Sequence, residues 1–288
     1  MGFENIITKL ESLPPLSDTA FEIQRVYAGG FKSLDIIKLV RIIENDAVLA
    51  ANILRMVNAP IYGFSRKIAS ISQAVTLLGT DEIYGLVIKY AIEEKLQADM
   101  SIYGISNTEF NDICHLQSTL IMQWYSRIDT RHAQFISPLA LIMESGKLIL
   151  ANEIKKNAHA KTFLKEYKKT NDIIEFEYDL FNTTTYYLSA MLFEHWRLEP
   201  LYVEILKGLD FEIETGSKVR SYIESLDVVR TAVNLRNILT KESIGYACDI
   251  VEEIGLDADS FKQVALRVKN RYDLVLKDRI KNKSVDGI

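Results

Sequence analysis

The sequence predicts an all-α protein. Apolar residues recur at three- and four-residue spacing along most of the chain. No stretch alternates apolar and polar residues over a useful strand length. Glycine and proline are scarce, 13 and 5 in 288 residues, which disfavours a loop-rich β architecture. The length allows one or two domains and the burial of roughly 75% of the unfolded surface.

The elements follow in order. Ser33 caps a helix whose apolar face is Ile36, Leu39, Val40 and Ile43. Asp46 caps the next, with Leu49, Ile53, Leu54 and Val57 on its stripe, and Pro60 and Gly63 end it. Ser72 starts a short helix closed by Gly79. Thr80 starts another, with Ile83, Leu86, Val87, Tyr90 and Ala91 facing inward. These helices form a layer over about 8–98, and the polar stretch 99–107 is a boundary. A long helix over 108–128 buries Ile113, Leu116, Leu120, Trp124 and Ile128. Ser137-Pro138 is a helix-start signal, so the apolar stretch 139–155 reads as one central helix. Further helices are expected near 161–169, 171–181, 184–196, 200–207, 217–237, 242–254 and 259–280. The regions divide as 1–100, 101–255 and 256–288, the last a basic amphipathic helix.

Apolar content of 48% and a net charge of -5 suit a cytoplasmic protein and give no global reason to expect nucleic acid or an anionic membrane. No secretory signal is visible, and the most apolar segment, 135–150, is too short and too charged to span a bilayer. Cys114 and Cys248 lack ligand spacing and read as reduced, small hydrophobes. No Walker, G-x-S-x-G or G-x-G-x-x-G motif occurs. Glu194 beside His195 points about 100° away on a helix, which is poor geometry for acid–base work.

Several segments in order resemble the HDOD family of bacterial signalling proteins, relatives of the HD metal-phosphohydrolases. They are Leu13-Pro14-Pro15-Leu16, Asp46-Ala47-Val48-Leu49 and Leu54 through Asn58 to Tyr62. The spaced set Ile68, Ile71, Ala74, Val75, Leu78 and Gly79 follows, then Leu188 to Leu192 with Trp196 and Pro200. The resemblance spans about 10–240. It implies an HD-domain/phosphodiesterase-like helical fold with an HDOD-specific N-terminal helical layer. Asp46, Arg55, Asn58 and Tyr62 are then candidate recognition residues. Residue chemistry alone reads Asp46 first as a helix N-cap, Asn58 first as a C-terminal cap, and Arg55 as a solvated or ion-paired side chain.

An HD phosphohydrolase needs His and Asp ligands around a divalent ion. The resemblance places the His-Asp-x-Gly-Lys element at Met143-Glu144-Ser145-Gly146-Lys147, the upstream histidine at Gln117, a further histidine at Thr185 and the downstream Asp at Val233. Only Glu144 is a ligand type suited to a hard cation. His115 lies about 200° around the helix from Gln117 and does not replace it. His115, His132, His159 and His195 show no zinc spacing, so structural or surface roles are expected. The old groove, near Gln117, Glu144, Lys147 and Asn182, would persist as a vacant or repurposed pocket.

The resemblance therefore implies no catalytic residue, metal or cofactor, but a regulatory module acting through a signalling protein partner or a bound small ligand. Motility, gene expression and stress response are the expected outputs. The rival reading is a divergent phosphohydrolase acting on a nucleotide, with Glu144 and Asp112 or Asp227 holding magnesium. A third uses the basic stretch 262–283 for nucleic acid or an acidic partner rather than as a docked helix with its charges in water.

Overall fold

The computed structural model describes residues 3–28, 36–156, 160–170, 172–210 and 215–285. The chain opens with α1 (Phe3–Glu11), which packs on the larger body, and the first layer holds α2 (Asp18–Ala28), α3 (Ile36–Asn45), α4 (Ala47–Val57), α5 (Ile71–Leu78) and α6 (Thr80–Lys95). The larger body holds α7 (Asn107–Tyr125), α8 (Thr130–Ile142), α9 (Gly146–Lys156), α10 (Ala160–Tyr167) and α11 (Ile173–Phe181). It continues through α12 (Thr185–His195), α13 (Pro200–Gly208), α14 (Ser217–Ala232), α15 (Lys241–Glu253) and α16 (Ala258–Val285). No strand occurs among the described residues, only an isolated bridge between Val233 and Ile238. The fold is all-α, as its periodicity predicts, and its buried side chains from Ile6 to Tyr272 join one apolar cluster.

Local chemistry sets most helix starts. Asp46 accepts the Leu49 N–H (3.0 Å) and so caps α4. Ser106 and Glu109 form a reciprocal capping box at α7. The start of α5 is Ser70, not Ser72: the Ser70 hydroxyl accepts the Gln73 N–H (3.1 Å). The cap expected at Ser33 and the histidine at His159 lie outside the described residues. On α3 the buried face is Leu39, Ile42 and Ile43, while Ile36 at its first position is exposed.

The central helices differ from the expectation in three ways. α8 starts at Asp129, whose carboxylate accepts the N–H groups of Arg131 (2.8 Å) and His132 (3.1 Å), so Pro138 falls inside it. Gly85 of α6 faces Pro138 there, and a Cβ on that glycine would lie 3.0 Å from the proline Cα, so the two helices cross at close approach. The expected single helix over 139–155 is broken by a 3-10 turn, Met143–Ser145. α7 ends at Tyr125, which leaves Ile128 in the following turn and 47% exposed. Likewise α14 stops at Ala232, because Val233 adopts an extended backbone.

The run Thr130–Lys156 passes a length-and-composition test for a membrane span, yet 89% of its most apolar window is buried inside the fold. It is the centre of the core. α16 lies against α7, α15 and the turn Pro60–Tyr62, so it reaches back to the first layer. Asp112 of α7 anchors it, accepting from the Tyr272 hydroxyl (3.2 Å) and pairing with both terminal nitrogens of Arg279.

Candidate functional site

The site forms where α9, α11, α12 and α7 converge. Gly146 makes that convergence possible. A Cβ at this position would lie 2.0 Å from the Thr185 carbonyl oxygen, so only glycine lets α9 start against α12. The Gly146 N–H donates to Ser189 Oγ (2.8 Å), and the Ser189 hydroxyl donates to the Met143 carbonyl (2.7 Å). These bonds fix the 3-10 turn and aim the next side chain, Lys147, inward.

Lys147 is buried and enclosed by acceptors. Its Nζ donates to Glu177 Oε1 (2.9 Å) and to Thr185 Oγ1 (2.9 Å), and Glu144 Oε2 lies 3.8 Å away. The Tyr103 ring adds its face at 5.8 Å. Glu177 in turn accepts the Thr185 N–H (2.7 Å). Burial opposes the charge on Lys147, but Glu177 and Glu144 outweigh it and hold the ammonium pKa above its ordinary value. Beside it, Glu144 Oε1 accepts from Gln117 Nε2 (3.0 Å) and from the Tyr186 hydroxyl (3.0 Å). Gln117 Nε2 also donates to the Val233 carbonyl (2.9 Å).

Five of the positions singled out in the sequence thus meet: Gln117, Glu144, Lys147, Thr185 and Val233. Met143 joins only through its carbonyl, its side chain being wholly buried in the core. Asn182 does not take part. It is exposed and closes α11 in the left-handed region at φ 54°. The rival carboxylates are not gathered either: Asp112 is engaged by Arg279 and Tyr272, and Asp227 by Arg230 (2.6 Å). Glu177, Tyr186 and Ser189 escaped sequence reasoning. Glu177 carried a signal, being a carboxylate four residues from Ile173 and from Phe181 on the inward side of α11.

This donor set does not fit a divalent metal. An amide (Gln117), a thioether (Met143), a hydroxyl (Thr185) and an alkyl side chain (Val233) stand where imidazole and carboxylate ligands would be needed. Among the described residues no group of three His, Cys, Asp or Glu side chains is placed to hold an ion. A cavity of about 600 Å³ opens next to Glu144 and Lys147, toward Tyr167, Arg230 and Asn237.

The candidate recognition residues in the first layer are mostly engaged internally. The Asn58 amide donates to the Leu54 and Ile68 carbonyls (2.7 and 2.8 Å), and its oxygen accepts the Ile68 N–H (2.8 Å). That clasp ties the end of α4 to the irregular segment leading into α5. The Tyr62 hydroxyl reaches Glu82 Oε1 (3.2 Å) and His115 Nδ1 (3.0 Å). Glu82 is buried and further satisfied by Ser118 and Ser137. Burial raises its pKa and, together with the Lys89 charge, lowers that of His115 to about 3. Arg55 is exposed and donates to Asn52 (3.0 Å). His132 is buried against Tyr125 and Ser225, and His195 bonds the Leu13 carbonyl (3.0 Å).

The architecture is an HD-like helical body carrying an added N-terminal layer. The HDOD domain model matches residues 13–208, and the chain belongs to the HDOD family. Solved structures share the fold. A Shewanella amazonensis SB2B protein provisionally named a phosphohydrolase is 17% identical over 92% of this chain and 94% of its own, with a TM-score of 0.70. A Marinobacter aquaeolei VT8 protein provisionally named for signal transduction is 20% identical over 93% of this chain and 59% of its own, with a TM-score of 0.70. An HDOD domain protein of unknown function from Geobacter sulfurreducens is 17% identical over 95% of this chain and 94% of its own, with a TM-score of 0.60. No curated protein matches the sequence.

Proposed function

We propose that this chain is a non-catalytic regulatory module, acting in the cytoplasm through a signalling protein partner or a bound small ligand. One observation carries the reading. At four positions where the resemblance places metal-ligating histidine or aspartate stand Gln117, Met143, Thr185 and Val233, none of them an imidazole or a carboxylate. Glu144 alone remains of that set, and Gln117 and Tyr186 already donate to it, so no coordination sphere is built to activate water. Family membership and the signal-transduction name of one structural neighbour agree with this reading.

The competing reading, a divergent nucleotide phosphohydrolase, has in its favour Glu144 and the phosphohydrolase names of two structural neighbours. A hydrolysis screen separates the two. The intact protein is incubated with cyclic and linear nucleotides and model phosphodiesters, with magnesium or manganese. The regulatory reading expects no turnover above a metal-only blank. Turnover that is abolished by Glu144→Ala would overturn it.

A further inference from the structure

The cavity beside Lys147 offers acceptors rather than donors. Five carboxylates line it against three cations. Those cations are already committed. Lys147 is held by Glu177 (2.9 Å) and Arg230 by Asp227 (2.6 Å), and Arg236 donates to the Thr170 carbonyl. The guanidinium of Arg230 also lies 4.9 Å over the Tyr186 ring, so the wall itself shows that its aromatic faces accept a cation.

Two polar atoms at this wall make no hydrogen bond. Glu144 Oε2 accepts none, the Lys147 ammonium standing 3.8 Å off, although its twin Oε1 accepts two. The Tyr167 hydroxyl makes none either. Both residues are at least 98% buried and both line the cavity. A buried carboxylate oxygen without a donor is costly, and a ligand N–H would remove that cost. A phosphate would meet the surplus negative charge with no free cation to receive it. A divalent metal would find one free oxygen. An alkylammonium, with three donors around a single charge, matches scattered acceptors of this kind.

We propose that this cavity binds a small organic cation of the diamine or polyamine class, one ammonium group donating to Glu144 Oε2 and to the Tyr167 hydroxyl. The assignment rests on the metal-free reading of the same site and names its ligand. Its consequence is that the protein would report amine availability rather than a nucleotide.

Isothermal titration of the full chain tests it, with putrescine and spermidine as probes, AMP and GMP as anionic comparators, and magnesium chloride alone. One amine is expected to bind at one equivalent per chain, and the nucleotides not at all. Glu144→Gln is expected to weaken amine binding at least about tenfold, as loss of a charged hydrogen-bond partner does. Tyr167→Phe removes only a hydroxyl and should weaken it about threefold. Glu252→Gln, on the exposed side of α15, should leave it unchanged. If Glu144→Gln does not fold, Tyr167→Phe against wild type decides the matter. Silence from both amines, equal binding by all variants, or tighter binding of a nucleotide would overturn the proposal. Amine silence with no divalent ion bound defeats the ligand and leaves the regulatory reading standing; one magnesium per chain defeats that reading itself.

Discussion

Lys147 decides how the site behaves. Its ammonium and the Glu177 carboxylate are both almost wholly buried, so each depends on the other. Removing one partner of a buried pair strands the other charge and typically costs about 3–5 kcal/mol. Lys147→Met is therefore expected to destabilise the protein by about that much in urea unfolding at pH 7, and Glu177→Gln comparably. The double variant should recover much of the loss, since neither charge is then left alone. Strict additivity of the two single losses would show that the pair is not coupled. The sign of the pH dependence follows from the raised Lys147 pKa. Its stabilisation is complete below the unfolded lysine pKa and is lost as pH rises through the folded value, so the cycle at pH 7 reads the full effect. The lysine was visible in the sequence because the Gly-Lys pair survives within the family resemblance. Its main partner was not, because Glu177 stands among Glu175 and Asp179, and three acids on a short helix read as a solvated face.

At the level of elements, the site depends on where α8 stops and α9 starts. Ser137-Pro138 carries two helix-start signals, yet Asp129 supplies a stronger one eight residues earlier, and the proline is absorbed into α8. A continuous helix through 143–145 would carry Lys147 on a different heading. The break comes from Ser189 and Thr185 of a distant helix, which no local pattern reveals. Gly146→Ala tests this join. The new methyl would meet a carbonyl oxygen at 2.0 Å, so α9 and α12 must separate. A loss of about 1–3 kcal/mol or more is expected from overpacking. Gly245→Ala inside α15 has open space around it and should instead gain up to about 1 kcal/mol. Equal responses of the two variants in thermal unfolding would contradict the close packing of α9 on α12. Helix existence was legible from periodicity for most of the chain, but no helix was expected at Phe3–Glu11 or Asp18–Ala28. Boundaries failed in two ways: an earlier residue did the capping, at Ser70 and Asp129, and tertiary contacts broke the helix at Met143–Ser145.

Over the whole molecule, the family segments lie far apart in sequence and meet in space. Trp196 Nε1 donates to the Pro14 carbonyl (3.0 Å), and His195 bonds Leu13 (3.0 Å), so the opening turn and the tryptophan segment form one contact. This explains why spaced motifs along a single chain were enough to predict the architecture. The basic final helix was legible as amphipathic, and its inner face is Val264, Val268, Tyr272 and Val275. That Arg279 would find Asp112 across 167 positions was not. The same separation hid the cavity, whose walls come from α9, α10, α11, α12, α14 and α15. The central claim, that the site around Glu144 and Lys147 works without a divalent ion, is tested most directly by crystals grown or soaked in manganese and measured for anomalous scattering. The account predicts no anomalous peak between Glu144 and Glu177, with Lys147 Nζ bonded to Glu177 Oε1 at about the 2.9 Å described above. A manganese peak within coordinating distance of both carboxylates, with the lysine displaced, would contradict it.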